Sequence, residues 1–222
     1  MKQTKKIDTR DLVLAAILTA LVVVLQFLGA FIKIGTFSIS AVLIPIVIGA
    51  ATCGIAVGAW LGFVFGVVVL LSGDAALFLA VNVPGTIITV LLKGTLCGLV
   101  AGIAYKYVLV YMDKYCQRKV ENLKKKGSLC GNCCPAMLKY FSRNNKFVAT
   151  ITAAIVCPVV NTGIFLLGCV VFFLPTITSW AGGQNVAQYL LIGFVGVNFL
   201  IEMGVNIVLS PVIVRLLNIR KK

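Results

Sequence analysis

Two charged side chains, Lys93 and Glu202, each interrupt an apolar stretch long enough to cross a bilayer. A charge held in hydrocarbon costs roughly 2.5–3.5 kcal/mol even on the lenient insertion scale, so such residues face a cavity, a partner or a substrate. An ammonium group offers three donors and no acceptor, and its best complement is a carboxylate or phosphate. Asn198, Glu202 and Asn206 follow one another in steps of four, about 400° of helical rotation each, and so share one face of the last apolar stretch. Asn198 and Lys93 come to similar depth, roughly 12–15 Å below the outer ends of their stretches, and are expected to line one outward-opening pocket. Glu202 lies deeper, where it can neutralise Lys93, anchor an asparagine or bond another helix. A purely structural Lys93–Glu202 pair is the alternative. In the run CPVVNTG, Pro158 frees a backbone carbonyl that Asn161 can satisfy, or Asn161 can meet a ligand. Asp74 and Asn82 belong to GDAALFLAVNVPG, whose mixture of apolar and polar residues suits a lid as well as a solvated loop.

Other chemistry is poorly supplied. Cys116, Cys130, Cys133 and Cys134 invite a zinc reading, but a single CxxC pair, adjacent Cys133 and Cys134 and the absence of histidine argue against it, and no metal or cofactor is expected. Without histidine, paired intramembrane carboxylates, a GxSxG elbow or a GxxxxGK[ST] phosphate loop, the chain does not read as an enzyme, and energy for any transport must come from an ion gradient or a partner.

These residues must be positioned by membrane helices. The chain is 60% hydrophobic and 12% charged, with a mean hydropathy of +1.07, outside the usage of soluble domains, where about 25% is charged. The first apolar segment, though preceded by Lys and Arg, is about twice the length of a signal-peptide core and reads as a span. Apolar segments fall at about 12–32, 39–73, 85–111, 147–174 and 188–214. A single helix through 39–73 would run about 50 Å, so it is expected to break near Cys53 to Val57. That gives an all-α integral membrane bundle of six transmembrane helices in one domain, 1–222, with both termini cytoplasmic. A basic loop at 112–146, carrying nine Lys and Arg residues, then joins the fourth and fifth spans on the cytoplasmic side. The net charge of +14 therefore reports topology and attraction to anionic lipid, at about 1 kcal/mol per basic residue, rather than nucleic-acid binding. Ala50, Gly54, Gly58, Gly62 and Gly66 recur every four residues, a spacing for close helix packing, with Gly54 suited to a turn that needs positive φ.

The pattern over nearly the whole chain, with the strings AAILTALVVVLQFLG, FSISAVLIPIVIGA and CGIAVGAWLGFVFG, resembles the substrate-binding (S) component of energy-coupling factor (ECF) transporters, the vitamin uptake systems. The resemblance implies capture of a vitamin from outside by a pocket of outer loops and the last three helices, toppling in the bilayer, and release driven by a coupling transmembrane subunit and two ATPase subunits in the cell membrane. It also implies that Ala16 and Ala20, which match the family's small-xxx-small motif on the first helix, dock on the coupling subunit. Lys93, Asn161, Asn198, Glu202 and Asn82 are the expected ligand-binding residues.

Lys93 favours a substrate with an anionic group, and the IPIVIGA run looks more like pantothenate-type members than riboflavin-type ones. Pantothenate, carboxylated and hydroxylated, fits one lysine plus amides, while folate, riboflavin and queuosine precursors stay open. Few aromatics on the pocket helices argue against a large flat ring. A stand-alone ion-coupled transporter with Glu202 as proton site, and a membrane scaffold with no substrate, are the alternatives from other classes.

Overall fold

The computed structural model describes residues 9–31, 33–34, 37–38, 41–125, 134–183, 185–190 and 196–219. In chain order the elements are α1 (Thr9–Phe31), β1 (Lys33–Ile34), β2 (Phe37–Ser38), α2 (Leu43–Thr52), α3 (Ile55–Leu71), α4 (Ala76–Leu79), α5 (Val83–Lys125), α6 (Cys134–Phe172), α7 (Leu174–Trp180), α8 (Val186–Gln188) and α9 (Gly196–Ile219). Apart from one antiparallel two-residue pairing, Lys33 with Ser38 and Ile34 with Phe37, the described architecture is helical. Three helices, α1, α5 and α6, are long and apolar enough to cross a membrane; α2, α3 and the Phe199–Leu209 part of α9 are shorter apolar helices.

The long stretch at 39–73 breaks where the turn chemistry demands it. α2 ends at Thr52, and Gly54 adopts φ +103°, a conformation that a side chain would oppose, before α3 begins at Ile55. Gly73, at φ +81°, turns the chain again after α3 and presents Asp74.

The segment 112–146, expected as a loop, requires a correction. α5 continues to Lys125 and α6 begins at Cys134, so most of this basic segment is helix. Lysine and arginine are good helix formers, and their charges need not interrupt a helix that has left the hydrocarbon. At 43 residues α5 is about 64 Å long, roughly twice the thickness of a hydrocarbon core. Its far end is fastened to α6 by a buried polar knot: Asn145 Nδ2 donates to Asp113 Oδ1 at 2.7 Å, and the Cys116 thiol donates to Asn145 Oδ1 at 3.5 Å. Cys116 is thereby occupied in helix packing, while Cys130 and Cys133 lie outside the described residues.

The core joins α1, α2, α3, α5 and α6 through Leu18, Val22, Leu43, Ile46, Leu61, Phe65, Val90 and Ala153. Its closest contact is made by backbone. A Cβ on Gly62 would strike the Gly94 carbonyl, one on Gly94 would strike the Gly62 carbonyl, and one on Gly98 would strike the Gly58 carbonyl. A Cβ on Gly66 would lie 2.9 Å from Val90 O, and one on Gly102 would lie 3.0 Å from Ile55 Cα. Two glycine stripes, on α3 and α5, thus let the helices approach to backbone contact.

A methyl group is therefore tolerated very differently at two glycines. Gly94→Ala should lower the thermal unfolding midpoint of detergent-purified protein, by overpacking of about 1–3 kcal/mol, whereas Gly163→Ala, with nothing within 4 Å of the added carbon, should not. Equal melting of the two variants would contradict the backbone contact.

Candidate functional site

The glycine stripe determines where Lys93 points. Neighbouring residues on a helix are rotated by about 100°, so with Gly94 pressed against α3, Lys93 is directed beside that contact and toward α6. Its Nζ lies 5.9 Å from the centroid of the Phe65 ring on α3 and 5.2 Å from that of Phe165 on α6. Cations at these distances are held by the negative faces of aromatic rings. The charges that reach Lys93 are the carboxylates of Glu202 and Asp74, but among the described residues none is close enough to form an ion pair with it. A direct Lys93–Glu202 pair is thus not present.

The helix carrying Lys93 is capped by Asn82. Its Oδ1 accepts from the Gly85 N–H at 3.0 Å and its carbonyl accepts from the Thr86 N–H at 3.0 Å, with Pro84 in the first turn where no N–H is missed. Asn82, expected to meet ligand, thus also caps the helix that carries Lys93.

α6 runs antiparallel to α5 in a register that can be followed along both helices: Gly85 against Phe172, Thr89 against Gly168, Cys97 and Cys157 together in the buried core, and Asp113 hydrogen-bonded with Asn145. Asn161 stands one turn from both Cys157 and Phe165, at the level of the Lys93 turn. It is 7% exposed, and its Oδ1 has no hydrogen-bond partner among the described residues. Pro158 lies inside the helix one turn earlier.

On α9, Glu202 and Asn206 are buried, and Asn206 Nδ2 donates to the Glu202 carbonyl at 3.0 Å. The polar stripe read from the four-residue spacing therefore faces inward at these two positions. Asn198 lies on the same helix, its side chain outside the described residues.

Three groups escaped the sequence reading. Gln26 on α1 is 1% exposed and donates through Nε2 to Asp74 Oδ2 at 2.6 Å. Thr89, one turn before Lys93, is 5% exposed, and its hydroxyl has no hydrogen-bond partner among the described residues. Phe78 on α4 packs edge-on against Phe165 and Phe173, at 5.5 and 5.1 Å, and against Trp180 of α7 at 6.1 Å. The expectation of few aromatics concerned the pocket helices; aromatic rings also come from elements outside them, Phe65 of α3 beside Lys93 and Phe78 of α4 against Phe165. The available signals were a glutamine in an otherwise apolar stretch and a threonine at i−4 from Lys93.

Ala16 and Ala20 lie on the opposite side of α1 from the core residues Leu18 and Val22, on an exposed apolar face with Val13, Ile17 and Val24.

A family model described as ECF transporter, substrate-specific component, matches residues 10–214. The chain belongs to this family. No curated protein and no solved structure matches it. The S component is a substrate-specific, multi-pass membrane subunit of an ECF transporter, working with a module of membrane and ATPase subunits, and its family is one of transporter components rather than enzymes. In the S component's interior a fixed cation, aromatic faces and amide oxygens are suited to binding and orienting a polar solute.

The capping role of Asn82 has a measurable consequence. Asn82→Ala should lower stability by about 1 kcal/mol, seen as an earlier thermal unfolding midpoint. A midpoint unchanged from wild type would show that the cap does not hold the start of α5.

Proposed function

We propose that this S component captures a small water-soluble vitamin from outside the cell membrane, that Lys93 receives its anionic group, and that pantothenate is the substrate. The observation that carries the reading is the Lys93 ammonium lying between the Phe65 and Phe165 rings with no carboxylate at ion-pair distance among the described residues. A cation held this way keeps its hydrogen-bond donors for an incoming carboxylate or phosphate, which is the strongest partner it can find in a low-dielectric site. Asn161 supplies a polar group at the same level, and Asn198 and Glu202 complete the ligand side of α9 in this reading.

The proposal includes a six-span topology with both termini and the basic 112–146 segment cytoplasmic, supported by the clustering of Lys and Arg there. That segment would also rest against anionic lipid. Two ATPase subunits and a coupling transmembrane subunit would drive release, with Ala16 and Ala20 docking on the latter; their place on an exposed apolar face supports this. Pantothenate matches the site in carrying a carboxylate for Lys93 and hydroxyl and amide groups for the uncharged polar side chains. The buried Glu202 keeps an ion-coupled carrier as the competing mechanism, and it predicts uptake by the chain alone.

The test separates capture from delivery. Purified protein should bind radiolabelled pantothenate, Lys93→Met should lose that binding, and Ala16→Trp should keep it. In cells with the coupling module, Ala16→Trp should lose uptake, and wild type without the module should show none. Binding undiminished in Lys93→Met would remove the lysine from the site, and uptake by the chain alone would favour the ion-coupled carrier.

A further inference from the structure

Polar oxygens buried without partners indicate what an absent molecule must bring. Gln26 is the most informative, because its orientation is fixed: with Nε2 donating to Asp74 at 2.6 Å, the amide nitrogen is used and the oxygen must be Oε1. That oxygen is buried, in a residue 1% exposed, and accepts no hydrogen bond among the described residues. Thr89 is unusual in a second way. Thr86, Thr95, Thr150 and Thr152 each donate their hydroxyl to the carbonyl four residues back, the default for threonine in a helix. Thr89, on the same helix as two of them, makes no such bond. Asn161 Oδ1 likewise accepts no hydrogen bond among the described residues.

The three lie on three helices around the same part of the bundle. Thr89 is one turn before Lys93 on α5, Asn161 stands at the level of the Lys93 turn on α6, and Gln26, on α1, is hydrogen-bonded to Asp74 in the turn after α3, the end of α3 that lies toward Thr89 by the Gly66–Val90 contact. Lys93 has only donors to give, whereas the carboxamide oxygens of Gln26 and Asn161 can only accept. A simple carboxylate would satisfy the lysine and leave the amide oxygens bare. A site of this kind rejects ligands that lack the matching polar group, because its own buried atoms are then stranded.

We propose that the site selects a substrate bearing hydrogen-bond donors, hydroxyl or ammonium groups, opposite its anionic group, and that Gln26, oriented by Asp74, determines this selectivity. The inference rests on the reading that Lys93 receives the anionic group. Gln26 is the acceptor that contacts substrate; Asp74 is a positioning residue that acts through it.

The experiment compares two ligands within each variant, so that a general loss of folding affects both alike. Affinities of the purified full chain are measured for pantothenate and for its analogue with both hydroxyls replaced by hydrogen. Wild type should prefer pantothenate by about tenfold to a hundredfold. Gln26→Leu and Asp74→Asn should each narrow that preference by about tenfold, whereas Lys93→Met should weaken both ligands equally. A wild-type ratio near one, or a ratio unchanged in both Gln26→Leu and Asp74→Asn, overturns this inference and leaves the role of Lys93 standing. Affinities unchanged in Lys93→Met overturn the role of Lys93 and this inference with it. Should neither compound bind, γ-aminobutyrate and butyrate decide the matter: preference for the former, reduced in Gln26→Leu, upholds donor selection with another substrate, and no preference or no binding overturns it.

Discussion

Backbone contact between α3 and α5 is the constraint from which the polar interior follows. In a bilayer, apolar side chains gain little by leaving lipid for protein, so helices associate where small residues let their backbones approach and dispersion contacts multiply. Gly58 and Gly62 face Gly94 and Gly98 in this way, each glycine's missing side chain replaced by the other helix's carbonyl. The contact leaves α5 no freedom to rotate. Since Gly94 follows Lys93, fixing one fixes the other, and the lysine is carried to the seam where α3 offers Phe65 and α6 offers Phe165. The stripe was readable as packing; that it also aims a charge depends on its neighbour on α5.

How the lysine is held matters as much as where. An ion pair at contact distance would consume the hydrogen bonds of the ammonium and leave a closed structural element. Ring faces stabilise the charge by their quadrupoles without accepting its hydrogen bonds in the way a carboxylate does. Glu202 lies on α9 and Asp74 in the turn after α3, and neither is at ion-pair distance from the half-buried Lys93. Among the described residues no carboxylate takes up the ammonium's donors, as one would in a structural pair.

Much of this was legible in the residues. The break at Cys53–Gly54 followed from the length of a bilayer and from glycine's freedom at positive φ, and Lys93, Glu202 and Asn161 announced themselves by being polar in apolar runs. What stayed hidden depended on partners distant in sequence. Gln26 gains its meaning from Asp74, 48 residues away, and the aromatic cluster gathers Phe78, Phe165, Phe173 and Trp180 from three elements. The basic segment at 112–146 was misread as a loop for a different reason. Counting positive charges reports the side of the membrane, while the backbone obeys helix propensity and the Asp113–Asn145 bond, neither of which the count contains.

The antiparallel register of α5 and α6 explains why the site can be rigid at one wall and still depend on another element. The pair is pinned at the start of α5 by the Asn82 cap and the Gly85–Phe172 contact, in the middle by the buried Cys97 and Cys157, and farther along by the Asp113–Asn145 bond. Lys93, Thr89 and Asn161 are all borne on this pair and hold their mutual geometry as long as the register holds. Gln26 is not. It stands on α1, a helix whose inner face meets the core at Leu18 and Val22 and whose outer face exposes Ala16 and Ala20. A rigid helix cannot turn one face without turning the other, so any rotation of α1 that repositions its outer surface also moves the Gln26 oxygen relative to the fixed lysine.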